Sequence, residues 1–305
     1  MCHGYLEARL NDREYANWLK AGQCLYILKD VLHNFTNEQM QGFHQDLLLK
    51  NPSLREQCRR SCQSVDIKRS RACGPCLDWR SEILKHHRRP DSILNWDNCI
   101  PSVWRTCHWE LAKAYMPRGQ RCVNAHQCDP SALLNLINFC DCFASVNSDE
   151  SLSRVKKLIQ CRNYLMHSAD QHVPDEWMKN FKLALQQFVW LFKEVSGMQS
   201  AEKRITSMLA LDLTISLTDT VDYTGEEIQT ESMFDDVTPE VITKWEADLI
   251  REMLRELQQM AEDETMDSNQ LKMLDNFLQK NKDLNEMFSP ELQAISTLGG
   301  GQKKI

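Results

Sequence analysis

At 305 residues, 42% of them apolar, the chain can bury a substantial core and is too apolar for a disordered polymer. No run approaches the roughly 18 apolar residues of a bilayer span, and Met1 to Glu7 lack the basic and apolar regions of a secretory leader, so an intracellular protein is expected, cytoplasmic or nuclear, with no membrane partner. Charge is uneven: residues 1–200 carry 26 basic and 21 acidic groups, residues 201–305 carry 10 and 22, and residues 50–121 alone carry 15 and 7.

β-Branched alternation is nearly absent and apolar residues recur every three or four positions, which predicts helices throughout. The first runs from Asp12 to about His33 on Tyr15, Trp18, Leu19, Leu25, Leu28 and Leu32. Thr36 with Gln39 three residues on reads as a capping box opening a second helix, which Pro52 stops. A cysteine- and arginine-rich stretch follows, then helices over Leu77 to about Arg88 and Val103 to Met116. Asp129-Pro130, a capping residue followed by proline at the first helical position, starts a helix to about Phe143. Further helices are expected from Ser151 to His167 and from Pro174 onward, the latter with Trp177, Phe181, Leu185, Phe188, Phe192 and Val195 on one stripe. Residues 201–237 read as an acidic linker, 238–290 as a C-terminal helical hairpin or coiled coil, and 291–305 as a disordered tail.

Thirteen cysteines, an odd number spread over a long chain, read as thiols or metal ligands rather than disulfides. Cys58, Cys62, Cys73 and Cys76 form two close pairs within the loop 51–76, and four thiolates complete a tetrahedral zinc shell with no open catalytic position. Gly74 and Pro75 make a tight knuckle between the second pair. The alternatives are free cysteines in a basic loop or a shell drawing on His86, His87 or Cys99. Cys122, His126 and Cys128 are a weaker metal set. The basic stretch 50–121, with Trp79, Trp96, Trp104 and Trp109, suits a polyanion such as RNA, or else a solvated face over core tryptophans.

On the helix that ends in Arg162-Asn163-Tyr164-Leu165-Met166-His167, the apolar face is made by Leu152, Val155, Leu158, Ile159, Leu165 and Met166. At about 100° per residue Arg162 falls in the middle of that face, where a charge needs a partner. Asn163 and His167, four apart, share a neighbouring face. Spacing alone is not selective, since Arg80 with His86 or His87, and Arg121 with His126, satisfy it too.

Arg162, the polar Asn163 and then His167 near the end of a long helix resemble the signature of the HEPN superfamily. That resemblance implies an all-α fold, a HEPN-like helical bundle of residues 1–200 with a cysteine-rich insertion and a C-terminal helical hairpin. It also implies a homodimer in which such elements face one another. In active members the chemistry is metal-independent RNA cleavage, which assigns catalytic roles to Arg162 and His167 with Asn163 as the polar neighbour. Histidine moves the proton while arginine stabilises charge on the phosphodiester. More of the chain, from Glu7 through Trp18 to Gly22, then Cys73 to Trp79, Ala112 to Gly119 and Cys161 to Ser168, is similar to an uncharacterised vertebrate family named for open reading frame thirty-eight of the X chromosome. Two functions are therefore expected in competition. One is an RNA-binding HEPN-type endoribonuclease that needs no cofactor for catalysis. The other is a non-catalytic dimerising scaffold or adaptor that recruits a protein through residues 238–290.

Overall fold

The computed structural model describes residues 3–89, 94–168, 170–213, 237–262 and 268–300. Among them it is all-α: the helices are α1 (His3–Leu10), α2 (Arg13–Lys50), α3 (Ser64–Lys68), α4 (Gly74–Lys85), α5 (His108–Ala112), α6 (Pro130–Phe139), α7 (Asp149–His167), α8 (Asp175–Leu191), α9 (Met198–Ala210), α10 (Pro239–Glu262), α11 (Ser268–Lys280) and α12 (Lys282–Gly300). The sole β-type pairing in the described residues is an isolated antiparallel bridge between His87 and Cys140.

Several helix boundaries differ from the sequence expectation for identifiable reasons. Instead of two helices meeting at a capping box, α2 is continuous through Thr36. The Thr36 hydroxyl, fully buried, donates to the Leu32 carbonyl one turn back at 2.8 Å, so it serves the helix interior and caps nothing. Helix α2 ends at Lys50, and Pro52 opens a 3₁₀ turn over Pro52–Arg55. The expected helix over 103–116 shrinks to α5 and a 3₁₀ turn, Lys113–Tyr115. Asp129 caps α6 as its sequence implies, accepting from the Ala132 amide at 2.7 Å, but α6 closes at Phe139. The C-terminal hairpin contains a third helix, with α12 packed against both α10 and α11. The tail expected at 291–305 is helical as far as Gly300, because Leu292 and Ile295 continue the buried face of Leu284 and Phe288. Burying apolar side chains at about 1.5–3 kcal/mol each offsets the roughly 3 kcal/mol that Pro290 costs a helix interior. Of the linker expected at 201–237, residues 201–210 belong instead to α9, where Ala201, Ile205 and Met208 are buried on one face, while 214–236, like the end of the tail at 301–305, lies outside the described residues.

By contact the chain divides into two compact units. The first gathers Met1–Leu25, Asn163–Leu183 and Glu202–Ile305. Its core holds Trp18, Leu19, Leu165, Phe181, Leu249, Leu278 and Phe288, all essentially sealed from solvent. The Trp18 indole donates to the Leu165 carbonyl at 3.2 Å, and Val173 donates to the Glu14 carbonyl at 3.0 Å. Gly22 lets α2 approach α10 closely: a Cβ there would lie 2.4 Å from both methyl carbons of Leu249. Beneath this packing lies a buried ion network. Arg9 grips Glu246 through two bonds of 2.8 and 2.9 Å and Asp283 through two of 3.0 and 2.9 Å, while Asn281 takes a fifth at 3.1 Å. All five guanidinium donors are thus used, and the Tyr15 hydroxyl adds a bond to Glu246 at 2.8 Å. Burial works against the Arg9 charge, but the two carboxylates more than restore it.

The second unit comprises Tyr26–Arg162 and Ala184–Ala201. Trp79, Trp96, Trp104 and Trp109 are all buried, so they are core residues and not a stacking surface for bases. Trp79 donates to the Leu54 carbonyl and stacks on His44, whose ring nitrogen meets the Trp104 carbonyl at 2.7 Å. Arg88 holds the 137–143 segment through the carbonyls of Ile137 and Phe143.

Candidate functional site

The arginine on the apolar face of α7 is indeed inside: Arg162 is 2% exposed. Asn163 and His167 are exposed. The His167 ring therefore presents itself to solvent while the guanidinium one turn earlier does not. Within the first unit His167 lies beside Met253, Leu257, Met260 and Leu274, and its Nδ1 is 3.3 Å from the Gln270 amide nitrogen. Which of the two carries the hydrogen depends on the amide orientation and the imidazole tautomer.

The second candidate is the cysteine cluster, and here the sequence pattern is matched by geometry. Cys58, Cys62, Cys73 and Cys76 place their sulfurs within 4.8 Å of one another, three of them on buried residues. Among the described residues no other set of three or more Cys, His, Asp or Glu ligands is so gathered. The cluster is built by short, strongly turned segments. Ser61 and Ser70 adopt left-handed backbone angles, φ 49° and 52°, which fold the chain back toward the sulfurs. Helix α4 begins just after Cys73, with Pro75 near its start and Cys76 in its first turn. Helix α3 is fixed from outside by an ion pair between Lys68 and Asp97, the latter also accepting from Ser64.

Backbone amides point at the sulfurs: Cys62 N–H at Cys58 Sγ, 3.4 Å, and Cys73 N–H at Cys62 Sγ, 3.3 Å. Cys58 and Cys73 sulfurs are 3.8 Å apart, about the separation that two sulfurs keep on one zinc with bonds of roughly 2.3 Å. Desolvation pushes the Cys58 thiol up, yet the amides of Cys62 and Arg60 outweigh it and hold it at about 6. Cys73 is lowered in the same way, against desolvation, by the amides of Arg59 and Cys76. Desolvation raises Cys62 and Cys76, and the neighbouring sulfurs add to it. Two thiols are made more acidic and two less so, and all four would yield their protons to a cation, a donor set that suits a closed structural zinc site.

The substitute ligands go elsewhere. His86 Nδ1 pairs with Asp141 at 2.9 Å, His87 Nδ1 meets the Arg89 carbonyl at 2.7 Å, and Cys99 is buried. Cys122, His126 and Cys128 do not assemble; the His126 ring packs on His33 with centroids 3.8 Å apart. What the sequence left unspecified is which basic residues surround the cluster. Arg60, Arg69 and Arg71 are exposed on the cysteine-rich segment, and Arg60 donates to the Arg71 carbonyl at 3.3 Å. The signal was their interleaving with the four cysteines.

Comparison with known proteins adds a family but no activity. The family described as "Domain of unknown function (DUF4559)" matches residues 9–300. A mouse protein, "Uncharacterized protein CXorf38 homolog", is 34% identical over 302 residues, covering 96% of this chain and 92% of the mouse protein. No solved structure matches the chain. No helix among the described residues is long and apolar enough to cross a membrane.

Proposed function

The chain belongs to the DUF4559 family of CXorf38-like proteins, and on that premise we propose that it is an RNA-binding helical protein whose zinc-ordered knuckle presents arginines to the phosphate backbone. One observation carries this reading: Arg60, Arg69 and Arg71 are exposed around the gathered sulfurs and form no ion pair among the described residues. Guanidinium groups held by a stiff loop give sequence-independent affinity for phosphate. Zinc on Cys58, Cys62, Cys73 and Cys76 supplies the stiffness, since the polar segment around them has few apolar side chains of its own.

The HEPN resemblance of Arg162, Asn163 and His167 is retained as kinship of fold. Cleavage would need Arg162 and His167 of two copies to face a common phosphate, and a guanidinium 2% exposed has little surface to offer one. Binding is therefore favoured over catalysis. A second reading, recruitment of a protein through 238–290, draws support from Met273 and Met287, 43% and 41% exposed on α11 and α12.

The test is RNA binding by the full, zinc-containing chain across a salt series, for wild type and the triple variant Arg60→Ala, Arg69→Ala, Arg71→Ala. Three lost phosphate contacts should weaken binding and flatten the log–log salt slope by about 2. An unchanged slope rejects the knuckle as the RNA contact. In magnesium-free buffer without a chelator, where the zinc-containing chain keeps its knuckle, wild type and His167→Ala should both leave the RNA intact; cleavage by wild type alone restores the ribonuclease reading.

A further inference from the structure

A second group of sulfurs sits apart from the cysteine knuckle in the same unit. Phe139 to Phe143 is pinned on both sides: Arg88 N–H donates to the Phe139 carbonyl at 2.8 Å and Asp141 N–H to the His86 carbonyl at 3.1 Å. The Arg88 side chain closes the segment through the Ile137 and Phe143 carbonyls, 2.7 and 3.1 Å. Cys140 is extended, φ −86° and ψ 130°, and residues two apart on an extended chain share a face. Cys140 and Cys142 accordingly bring their sulfurs to 3.3 Å, and the Met40 thioether, from α2, lies 3.7 Å from Cys142. Cys140 and Met40 are fully buried. Cys142 is partly exposed and lines a recess with His86, Asp141, Glu38, Asp46 and Glu82.

We infer that Cys140, Cys142 and Met40 form a binding site for a soft monovalent cation, Cu(I), held by two thiolates and a thioether. Donor type selects the ion. Thiolate with thioether suits Cu(I), whereas zinc takes four donors, usually with nitrogen or oxygen where thiolates run out. Three sulfurs around one ion at about 2.3 Å stand roughly 4 Å apart, so the Cys140–Cys142 pair, at 3.3 Å, and the Cys142–Met40 pair, at 3.7 Å, each need to open by less than about 1 Å, and the flexible Met40 side chain closes the third side. As one Cu⁺ enters, both thiols release their protons to solvent, leaving a centre with a single negative charge. The Arg88 guanidinium, which interacts electrostatically with Cys140, Asp141 and Cys142, balances that charge. The carboxylates of the recess draw cations to the exposed edge of Cys142.

The experiment is an anaerobic Cu(I) titration of the full chain purified with zinc, against a competing Cu(I) chelator, with copper and zinc both counted per chain. Wild type should take up one copper without losing zinc, and its Met40 methyl, labelled with carbon-13, should shift as copper enters. Cys140→Ser and Cys142→Ser should lose that uptake, and Met40→Leu should weaken it roughly tenfold. Copper bound equally by the serine variants, copper gained only as zinc leaves, or an unmoved Met40 methyl each overturns the site. So does formation of a Cys140–Cys142 disulfide, seen as loss of two hydrogens, in place of metal uptake. The methyl shift is read on wild type, so it decides the matter even where a serine variant misfolds.

Discussion

His172 reaches Asp12 through its Nε2 at 3.0 Å, and the same Asp12 carboxylate accepts the Glu14 amide at 2.9 Å at the start of α2. Desolvation opposes the charge on both groups, but their mutual hydrogen bond prevails: Asp12 is lowered from 3.8 and His172 raised from 6.5, with Asp170 adding to the latter. Linkage fixes the sign of the consequence. The histidine contribution is full below pH 6.5 and fades as pH rises through its raised value. The aspartate contribution is full above 3.8 and fades as pH falls through its lowered value. Both groups are partly open to solvent, 33% and 46% exposed at their side chains, so screening holds the pair to about 1 kcal/mol at most. In urea denaturation, wild type should exceed His172→Ala by up to that amount at pH 5.5 and by much less at pH 8.5. A difference independent of pH would assign the loss to packing. Little of this pair was legible in the sequence, because 160 residues separate its members. The burial of Arg162 was legible, since it follows from where 100° steps place a side chain on α7.

At the scale of elements, a single guanidinium ties α1, α10 and α12, and α2 joins through the Tyr15 hydroxyl on Glu246. Arg9 and Glu246 are 5% and 0% exposed at their side chains, so removing either leaves a charge in a medium that solvates it poorly. Glu246→Ala should cost about 3–5 kcal/mol in denaturant unfolding, whereas Arg9→Met combined with Glu246→Leu should recover a large part of that loss. A double variant as unstable as the sum of the two singles would mean that the pair is not energetically coupled. Local chemistry announced some elements and not others. Asp129 before Pro130, and Thr238 before Pro239, open helices because cap and proline both act within one turn. Thr36 looked like a cap, but its hydroxyl had a carbonyl of its own helix to bond, and no local rule distinguishes the two uses. The four cysteines of the knuckle were legible because their spacing is short. Met40 and Cys142, 102 residues apart, were not, although the Cys140-Asp141-Cys142 spacing was itself a signal.

Across the whole molecule, the acidic surplus of residues 201–305 and the basic stretch 50–121 belong to different compact units. Metal removal should affect them unequally. On the proposal that the knuckle holds zinc, chelation should accelerate hydrogen exchange at the Cys62 and Cys73 amides, which point at sulfur, roughly 100-fold, about 2.7 kcal/mol of lost protection. Amides of α10 should keep their rates. Uniform acceleration throughout would instead show that the metal governs global unfolding, and no change would remove zinc from the knuckle.

The Arg9 network also sets a timetable for synthesis. Its first partner along the chain, Glu246, is 237 residues away, and Asp283 lies further still. At roughly 5–20 residues per second, a ribosome needs on the order of tens of seconds to deliver them. For that interval the Arg9 guanidinium is without the two carboxylates that hold it in the folded unit. The first unit is completed only after α10, α11 and α12, residues 239–300, have been made, so the helix laid down early is among the last to be fixed in place.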